Sequence, residues 1–187
     1  EILAPLLTQA ALLIVEQGDE RDAEFVAHFM HRKSVSVAHA VPSLLQMMTT
    51  YVSDHAMDGR LRIVSSGEAL HPPLVRALCG ALPSATLFNL YGPTEASLDV
   101  SYWSFDHATG HAATRSPIGR PIWNMSLVLL APGAWQHALP DGTLGELCLS
   151  GAGVSHGYWN RAVQTALAFV PDACSVGARL YRTGDLC

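Results

Sequence analysis

The sequence has little charge and almost no lysine. Only 14% of its 187 residues are charged, the formal net charge is −5, and Lys33 is the one lysine beside ten arginines. These basic residues are scattered, so they form no patch that could hold nucleic acid phosphates without regard to sequence. Hydrophobic residues make up 49% of the chain, which is typical of a protein that buries a core. We therefore predict a globular domain with no nucleic acid partner.

Paired cysteines and long apolar segments are also missing. The four cysteines, Cys79, Cys148, Cys174 and Cys187, lie far apart and form no CxxC pair. This spacing argues against a zinc site or a disulfide framework and favours free thiols in the cytoplasm. No apolar run is long enough to span a bilayer, and the N-terminus lacks a signal-peptide pattern, so we expect no membrane partner.

Several common catalytic signatures are absent. The chain contains no G-x-x-x-x-G-K-[ST] phosphate loop and no G-x-S-x-G motif of the α/β-hydrolases. Gly151, Gly153 and Gly157 resemble a dinucleotide-binding loop, but the third glycine comes one position too late and no predicted helix begins there. The sequence therefore gives no support to these three classes of site.

The first half of the chain alternates between strand and helix patterns. Apolar runs predict strands at residues 11–15, 35–40, 61–65 and 85–91, the first of them buried on both faces. Helical spacing and start signals predict helices at residues 2–7, 22–32, 42–48 and 72–82. This order indicates βαβ units, hence an α/β fold with a parallel sheet and flanking helices.

The second half has a different texture. Short strands are predicted at residues 98–103, 125–130, 145–150 and 180–183, separated by glycine and proline turns and by one helix at residues 161–169. This pattern indicates a β-rich subdomain or partial barrel. We therefore divide the chain into an α/β subdomain over residues 1–104 and a β-rich subdomain over residues 105–187, both within one domain.

Polar residues or glycine follow three of the predicted strands. They are His39, residues 65–68 and residues 89–95. Because the carboxyl ends of parallel strands meet at one edge of a sheet, these segments are expected to line one crevice, where ligands of α/β sheets bind.

Three side chains in and beyond this crevice suit a nucleotide. Thr94 and Glu95 offer a hydroxyl and a carboxylate that could hold a phosphate and its Mg²⁺. Asp185, in a predicted loop, could bind two neighbouring sugar hydroxyls, as acidic residues do for ribose. Each residue taken alone is also explained by turn or cap chemistry.

The three together carry a family resemblance. The heptapeptide NLYGPTE at residues 89–95 resembles the nucleotide motif of the adenylate-forming, AMP-binding enzymes, and most closely that of the adenylation domains of nonribosomal peptide synthetases. Residues 145–158 with Arg161, Thr165 and Phe169 resemble the next motif of the family, and YRTGDL at residues 181–186 resembles the one after. Residues 155–156 and 162–163 depart from the usual family residues, at positions that we interpret as structural.

The resemblance implies how ATP would bind. Thr94 would contact the phosphates and Glu95 would hold Mg²⁺, which makes these two the implied catalytic residues. The Tyr91 ring would pack against adenine, Asn89 would hydrogen-bond its amino group, and Asp185 would take the ribose hydroxyls. The implied wall beside the nucleotide consists of Gly67, Glu68 and Gly92.

The resemblance also implies the reaction. An amino acid carboxylate would attack the α-phosphate of ATP, giving an aminoacyl-AMP and pyrophosphate, and the acyl group would pass to the phosphopantetheine thiol of a carrier domain in the synthetase. The implied amino acid pocket resembles that of serine-activating domains, so we predict L-serine, with threonine and other small polar amino acids as alternatives. The pocket residues are His39, Val64, Ser66, Leu90, Leu98 and Asp99.

Other interpretations stay open at this point. A stand-alone acyl- or aryl-CoA ligase would share the motifs but would have a more apolar pocket without Asp99, and a non-catalytic interaction module could keep old motifs. The sequence lacks the family's upstream phosphate loop, the aspartate that holds the substrate's amino group, and the C-terminal subdomain with its catalytic lysine. We therefore expect a piece of a longer enzyme that is inactive by itself.

Overall fold

Two β-sheets organise the chain. The computed structural model describes residues 3–52, 61–105, 116–131, 138–140, 142–172, 175 and 177–187. In these residues a five-stranded sheet lies within residues 37–121 with its strands side by side in chain order, and a four-stranded sheet lies within residues 125–186 with its last two strands exchanged in position. The first three strands of the larger sheet lie in the part of the chain where βαβ units were predicted, and the smaller sheet lies in the β-rich part.

The parallel strands are those that the sequence predicts. Strands β1 (Val37–Ala40), β2 (Arg62–Ser65) and β3 (Thr86–Tyr91) are parallel neighbours. Helix α3 (Pro42–Val52) connects the first pair and helix α4 (Pro72–Ala81) connects the second. The predicted α/β architecture with flanking helices is confirmed.

Two antiparallel strands extend this sheet. Strand β4 (Ser101–Ser104) pairs with β3, and the two-residue strand β5 (Arg120–Pro121) pairs with β4. The sheet is therefore mixed at this edge. The division of the chain at residue 104 stays a prediction, and we note that β5 belongs to the first sheet.

Three helices and one face of the sheet form the main core. Helix α2 (Ala23–Arg32) begins where predicted, because the Asp22 side chain accepts a hydrogen bond from the Phe25 backbone N–H at 3.0 Å. Buried side chains of α2, α3 and α4 pack with Ile63 and Leu87 of the sheet. Removing this apolar surface from water is what holds the helices on the sheet.

The predicted strand at residues 11–15 is wrong. These residues, which follow helix α1 (Leu3–Thr8), form neither strand nor helix, and Leu12 and Ile14 are 45% and 80% exposed. A strand buried on both faces needs neighbours that satisfy its backbone and cover its side chains. The five-stranded sheet begins at β1, so the described residues offer this apolar run no such neighbour.

The second sheet is antiparallel. Its strands are β6 (Met125–Leu130), β7 (Glu146–Gly151), β8 (Phe169–Pro171) and β9 (Arg179–Leu186), with helix α5 (Ala162–Ala168) before β8. Strand β8 was not predicted, because its first residue was assigned to the preceding helix. Strand β9 runs further than predicted, so Gly184 and Asp185 lie inside a strand and not in a loop after it.

Two expectations about composition can be compared with the structure. Cys79, Cys148 and Cys187 are free thiols, and Cys174 lies outside the described residues. Across the part of the chain that the structure describes, none of the helices has the length and apolar character needed to cross a bilayer.

Candidate active site

A tight loop follows strand β3. Residues 94–96 form a 3-10 helix, and the Val100 N–H then donates to the Tyr91 carbonyl at 2.8 Å, so the chain returns to the end of the strand. Gly92 makes this possible, because a Cβ atom there would lie 2.2 Å from the Leu98 carbonyl oxygen and 2.7 Å from the Asp99 Cα. The predicted substrate residues Leu98 and Asp99 are thus brought beside the end of β3.

The alternation of side chains along β3 separates two groups of predicted residues. Leu90 points to one face of the sheet, and Asn89 and Tyr91 point to the other. In the parallel register His39 pairs with Val64, and Val64 pairs with Phe88, so these residues share the face of Leu90. The predicted amino acid residues on the strands therefore lie on one face, and the predicted adenine residues on the other.

A hydrogen bond joins two of the predicted substrate residues. The His39 Nε2 and the Ser66 hydroxyl oxygen lie 3.0 Å apart, and Ser66 is 9% exposed. Since β1 and β2 are neighbours, this contact follows directly from the predicted parallel sheet. It places an imidazole and a hydroxyl beside the apolar Val64.

One cavity collects most of the predicted nucleotide residues. It measures about 680 Å³ and is open to solvent on one side. Its wall includes six of the seven residues predicted to bind the nucleotide, but not Thr94, which is exposed. The six residues are Gly67, Glu68, Asn89, Tyr91, Gly92 and Asp185.

Tyr91 and Asp185 contact each other in the wall of this cavity. The Tyr91 hydroxyl donates a short hydrogen bond to the Asp185 carboxylate. Burial raises the pKa of the Tyr91 hydroxyl well above its usual value, and the bond to Asp185 raises it further, so the phenol keeps its proton. Two residues that are 94 positions apart thus form one wall.

A bulge in β9 presents Asp185 to the cavity. Cys148 pairs with Arg182 and Glu146 pairs with Leu186, so residues 183–185 stand opposite the single residue 147. Gly184 occupies this bulge with a φ of 78°, a conformation that favours glycine. The bulge explains why the aspartate lies within a strand and is still available to a ligand.

An ion pair stabilises the bulge. The Arg182 Nη2 lies 2.7 Å from the Glu146 carboxylate, and the other oxygen of Glu146 accepts from the Gly184 N–H at 3.2 Å. The Thr183 hydroxyl donates to the Leu147 carbonyl at 2.7 Å and accepts from the Asp185 N–H at 3.0 Å. These contacts fix the backbone on both sides of Asp185.

Two further cavity residues have structural partners. The Asn89 amide, 5% exposed, donates to the Pro117 carbonyl at 2.9 Å, which fixes the orientation of the side chain. The Glu68 carboxylate accepts from the Ser43 N–H and hydroxyl, both at 3.0 Å, and so caps the first turn of α3. Glu68 thereby ties the end of β2 to the helix that follows β1.

Glu95 contacts the segment between β7 and α5. Its carboxylate accepts a hydrogen bond from the Tyr158 hydroxyl at 2.7 Å. This bond lowers the pKa of the Glu95 carboxyl and raises the pKa of Tyr158, since it favours the anion on one side and the phenol on the other. Glu95 is therefore an anion at neutral pH, as a metal ligand must be.

The sequence pattern of the AMP-binding enzyme family matches residues 1–159. The chain belongs to this family of AMP-binding enzymes.

The curated relatives of this AMP-binding chain are large synthases and synthetases. It is 34% identical to Tyrocidine synthase 3 of Brevibacillus parabrevis over 186 residues, which cover 100% of this chain and 3% of that protein. It is 37% identical to a phosphinothricin tripeptide synthetase of Streptomyces viridochromogenes, over 100% of this chain and 15% of that protein. It is 35% identical to Enterobactin synthase component F of Escherichia coli (strain K12), over 100% of this chain and 15% of that protein. The chain thus spans only a small fraction of each of these relatives.

Solved structures share the fold of the AMP-binding chain. A crystal structure of a four-domain nonribosomal peptide synthetase bound to AMP and glycine matches with a TM-score of 0.84 and 30% identity, over 100% of this chain and 13% of that one. The crystal structure of CmiS6 matches with a TM-score of 0.85 and 28% identity, over 99% of this chain and 45% of that one. The predicted fold class and family resemblance are confirmed.

The residues of the AMP-binding chain fit a magnesium ion that arrives with its nucleotide. Among the described residues no three His, Cys, Asp or Glu side chains cluster as a complete metal site. Mg²⁺ is commonly held by one or two carboxylates together with substrate phosphates and water. Glu95, an anion in the loop after β3, could serve as such a carboxylate.

Sequence reasoning missed two supporting groups of the AMP-binding chain. Tyr158 lies in the motif at residues 145–158, but the resemblance implies no role for it, and its partner Glu95 lies 63 positions away. Glu146 and Arg182 likewise lie in two separate motifs, and the sequence does not show that they form a pair. The motif spacing was the available signal, but only the fold shows which motif residues touch.

Proposed function

We propose that this chain forms part of an adenylation domain, which activates an amino acid with ATP and releases pyrophosphate. The observation that carries the proposal is the cavity of about 680 Å³, whose wall unites residues from the ends of β2 and β3 with Asp185 of β9. Three segments to which the resemblance assigns nucleotide contacts thereby meet in one place, namely residues 67–68, residues 89–92 and Asp185.

In this proposal the cavity holds the nucleoside. The Tyr91 ring offers an apolar surface for adenine, and the oriented Asn89 amide offers its oxygen to the amino group of the base. Asp185 accepts hydrogen bonds from the ribose hydroxyls, since a carboxylate has acceptor sites beyond the one that the Tyr91 hydroxyl uses. Gly67, with a φ of 85°, lets the backbone after β2 turn beside the nucleotide.

The phosphates lie toward Thr94 and Glu95. A carboxylate oxygen of the amino acid attacks the α-phosphorus, the bond from that phosphorus to the oxygen bridging the β-phosphate breaks, and pyrophosphate leaves. Nucleophile and electrophile both carry negative charge, so the site must offset it. Glu95 would hold Mg²⁺, which would supply positive charge to the phosphate oxygens, and the Thr94 hydroxyl would donate to a phosphate.

The proposed second step uses a carrier domain. The thiolate of its phosphopantetheine attacks the acyl carbon of the aminoacyl-AMP, a thioester forms, and AMP leaves with the electron pair of the broken bond. The synthase and synthetase names of the relatives support such an assembly line. The cytoplasm, predicted from the unpaired thiols, is the proposed location.

An exchange assay tests the proposed function. The full-length natural protein is incubated with ATP, labelled pyrophosphate and each amino acid in turn, in the presence of Mg²⁺. We expect label to enter ATP only when a suitable amino acid is present, because exchange requires reversible aminoacyl-AMP formation. Absence of exchange with every amino acid, together with thioester formation from an aryl or acyl acid and coenzyme A, would support the CoA-ligase alternative instead.

The contact between His39 and Ser66 supports a small hydroxylated substrate. The two polar groups lie on the sheet face of Val64 and Leu90, so the proposed pocket combines hydrogen-bonding groups with an apolar wall. A pocket built to hydrogen-bond a hydroxyl discriminates strongly against an analogue that lacks it. We propose L-serine as the substrate, with Asp99 as a third polar group.

Single substitutions in this pair test the specificity. We expect Ser66→Ala to lower kcat/KM for L-serine roughly fivefold and to leave kcat/KM for L-alanine within about twofold, since one net hydrogen bond contributes about 1 kcal/mol. His39→Gln is expected to act in the same direction. The readout is amino acid-dependent pyrophosphate exchange at saturating ATP.

His31→Gln provides the matched control for the histidine, because this exposed residue lies in the last turn of α2. It is expected to behave as wild type. The serine assignment is wrong if wild-type protein prefers a large apolar amino acid, or if Ser66→Ala lowers the rates with serine and alanine equally.

A further inference from the structure

The segment of residues 155–158 holds Glu95 by two hydrogen bonds. The Tyr158 hydroxyl donates to the Glu95 carboxylate at 2.7 Å, and the Ser155 N–H donates to the Glu95 carbonyl at 2.8 Å. Both the side chain and the backbone of Glu95 are therefore attached to residues 155–158. Glu95 is only partly buried, and these contacts restrict its rotamers together with the Tyr181 hydroxyl, which also interacts with its carboxylate.

Further contacts fix the position and orientation of Tyr158. The Thr165 hydroxyl accepts from the Tyr158 N–H at 3.0 Å, which ties the residue to helix α5. Gly157 lies so close to this helix that a Cβ atom would be 2.3 Å from the Thr165 Cγ2, and its φ is 131°. The Tyr158 ring packs edge-on against Phe169, with ring centroids 5.5 Å apart. Three residues of the same motif thus fix the position of one phenol.

We propose that Tyr158 is a positioning residue, which holds one oxygen of Glu95 so that the other faces the magnesium ion of MgATP. The inference rests on the proposed function, because it takes Glu95 as the metal ligand. Mg²⁺ requires near-ideal octahedral geometry, and among the described residues no three His, Cys, Asp or Glu side chains cluster to impose it. A carboxylate fixed beforehand by its neighbour meets that demand better than a mobile one.

Tyr158→Phe isolates the hydroxyl, because the ring and its packing on Phe169 remain. The experiment uses the full-length natural protein with a non-hydrolysable ATP analogue, and measures the binding of Mn²⁺ as a stand-in for Mg²⁺ by electron paramagnetic resonance. We expect the Mn²⁺ dissociation constant to rise roughly tenfold, the size of effect that loss of one charge-assisted hydrogen bond produces. The half-saturating Mg²⁺ concentration in pyrophosphate exchange should rise by the same factor, and the amino acid KM should not change.

Substitutions at Thr165 provide a second route that leaves Tyr158 in place. Thr165→Val removes the hydroxyl that holds the Tyr158 backbone and should weaken metal binding in the same direction, whereas Thr165→Ser keeps the hydroxyl and should not. Tyr51→Phe, which removes the same atom from a tyrosine of helix α3, serves as the control for the loss of a phenol.

The outcomes separate this inference from the proposed function. If wild-type protein shows amino acid-dependent exchange but Tyr158→Phe leaves Mn²⁺ binding within twofold of wild type, the positioning role is overturned while the function stands. A fall in exchange rate without a change in metal affinity likewise overturns it, because that pattern indicates a structural role. If wild-type protein shows no exchange with any amino acid and binds no Mn²⁺ with the ATP analogue, both proposals fail together.

Discussion

Gly92→Ala is expected to abolish exchange activity and to destabilise the domain. The added Cβ would lie 2.2 Å from the Leu98 carbonyl oxygen and 2.7 Å from the Asp99 Cα, and these are backbone atoms that cannot rotate away. The loop after β3 must open to make room, which separates Tyr91 from Val100 and moves Thr94 and Glu95. We expect a loss of about 3 kcal/mol of stability and a fall in exchange rate of about a hundredfold or more, which are the magnitudes typical of overpacking and of misplaced catalytic groups. The measurements are thermal melting and pyrophosphate exchange of the full-length natural protein.

Gly80→Ala is the matched control for this substitution. Gly80 lies within helix α4, and a Cβ atom added there would meet nothing within 4 Å. Alanine is favoured over glycine in a helix by roughly 1 kcal/mol, so this variant should be slightly more stable than wild type and fully active. Equal behaviour of the two variants would contradict the role that we give to the close contact at Gly92.

Asp185→Asn is expected to weaken ATP binding about a hundredfold. The carboxylate is the proposed acceptor for two ribose hydroxyls, and each charge-assisted hydrogen bond contributes roughly 1.5–3 kcal/mol. Asparagine keeps the size of the side chain but removes the charge and one acceptor. Calorimetry of ATP binding to the full-length natural protein gives the change directly.

A nucleotide that lacks one ribose hydroxyl shows whether the weaker ATP binding of Asp185→Asn comes from a lost contact with the ribose. Wild-type protein should bind 2′-deoxy-ATP about tenfold more weakly than ATP, while Asp185→Asn should discriminate between the two nucleotides much less, because the group that reads the hydroxyl has changed. Asp19→Asn, on the 3-10 helix Asp19–Arg21, which has no buried residues, controls for the loss of a negative charge. Equal discrimination by wild type and Asp185→Asn would place the ribose elsewhere.

Helices and strands that are determined by residues close together in the sequence could be predicted. The apolar runs, the Asp22 cap and the proline at the start of α3 all act within a few residues, and they placed β1, β2, β3 and the helices between them. Parallel pairing then follows from the alternation of strand and helix, which is why the contact between His39 and Ser66 was foreseeable. The family motifs added the expectation of a nucleotide at the same edge.

The exposure of residues 11–15 could not be predicted from residues close by in the sequence. Residues 11–15 have the composition of a buried strand, but whether an apolar run is covered depends on the partners that the fold brings to it. In the described residues no strand lies beside it, and Ile14 is exposed. The length of β9 was also missed, because Gly184 is typical of a strand end and only the pairing with β7 shows that the strand continues through a bulge.

The sequence by itself determined the α/β architecture, the family and the segments that carry chemistry. Only the tertiary structure decided which of those segments touch: Tyr91 meets Asp185 across 94 positions, and Glu95 meets Tyr158 across 63. The physical reason is that such contacts depend on how two sheets approach, and this is set by the summed packing of many side chains. A motif specifies which atoms are available, and the packing of the whole chain specifies their distances.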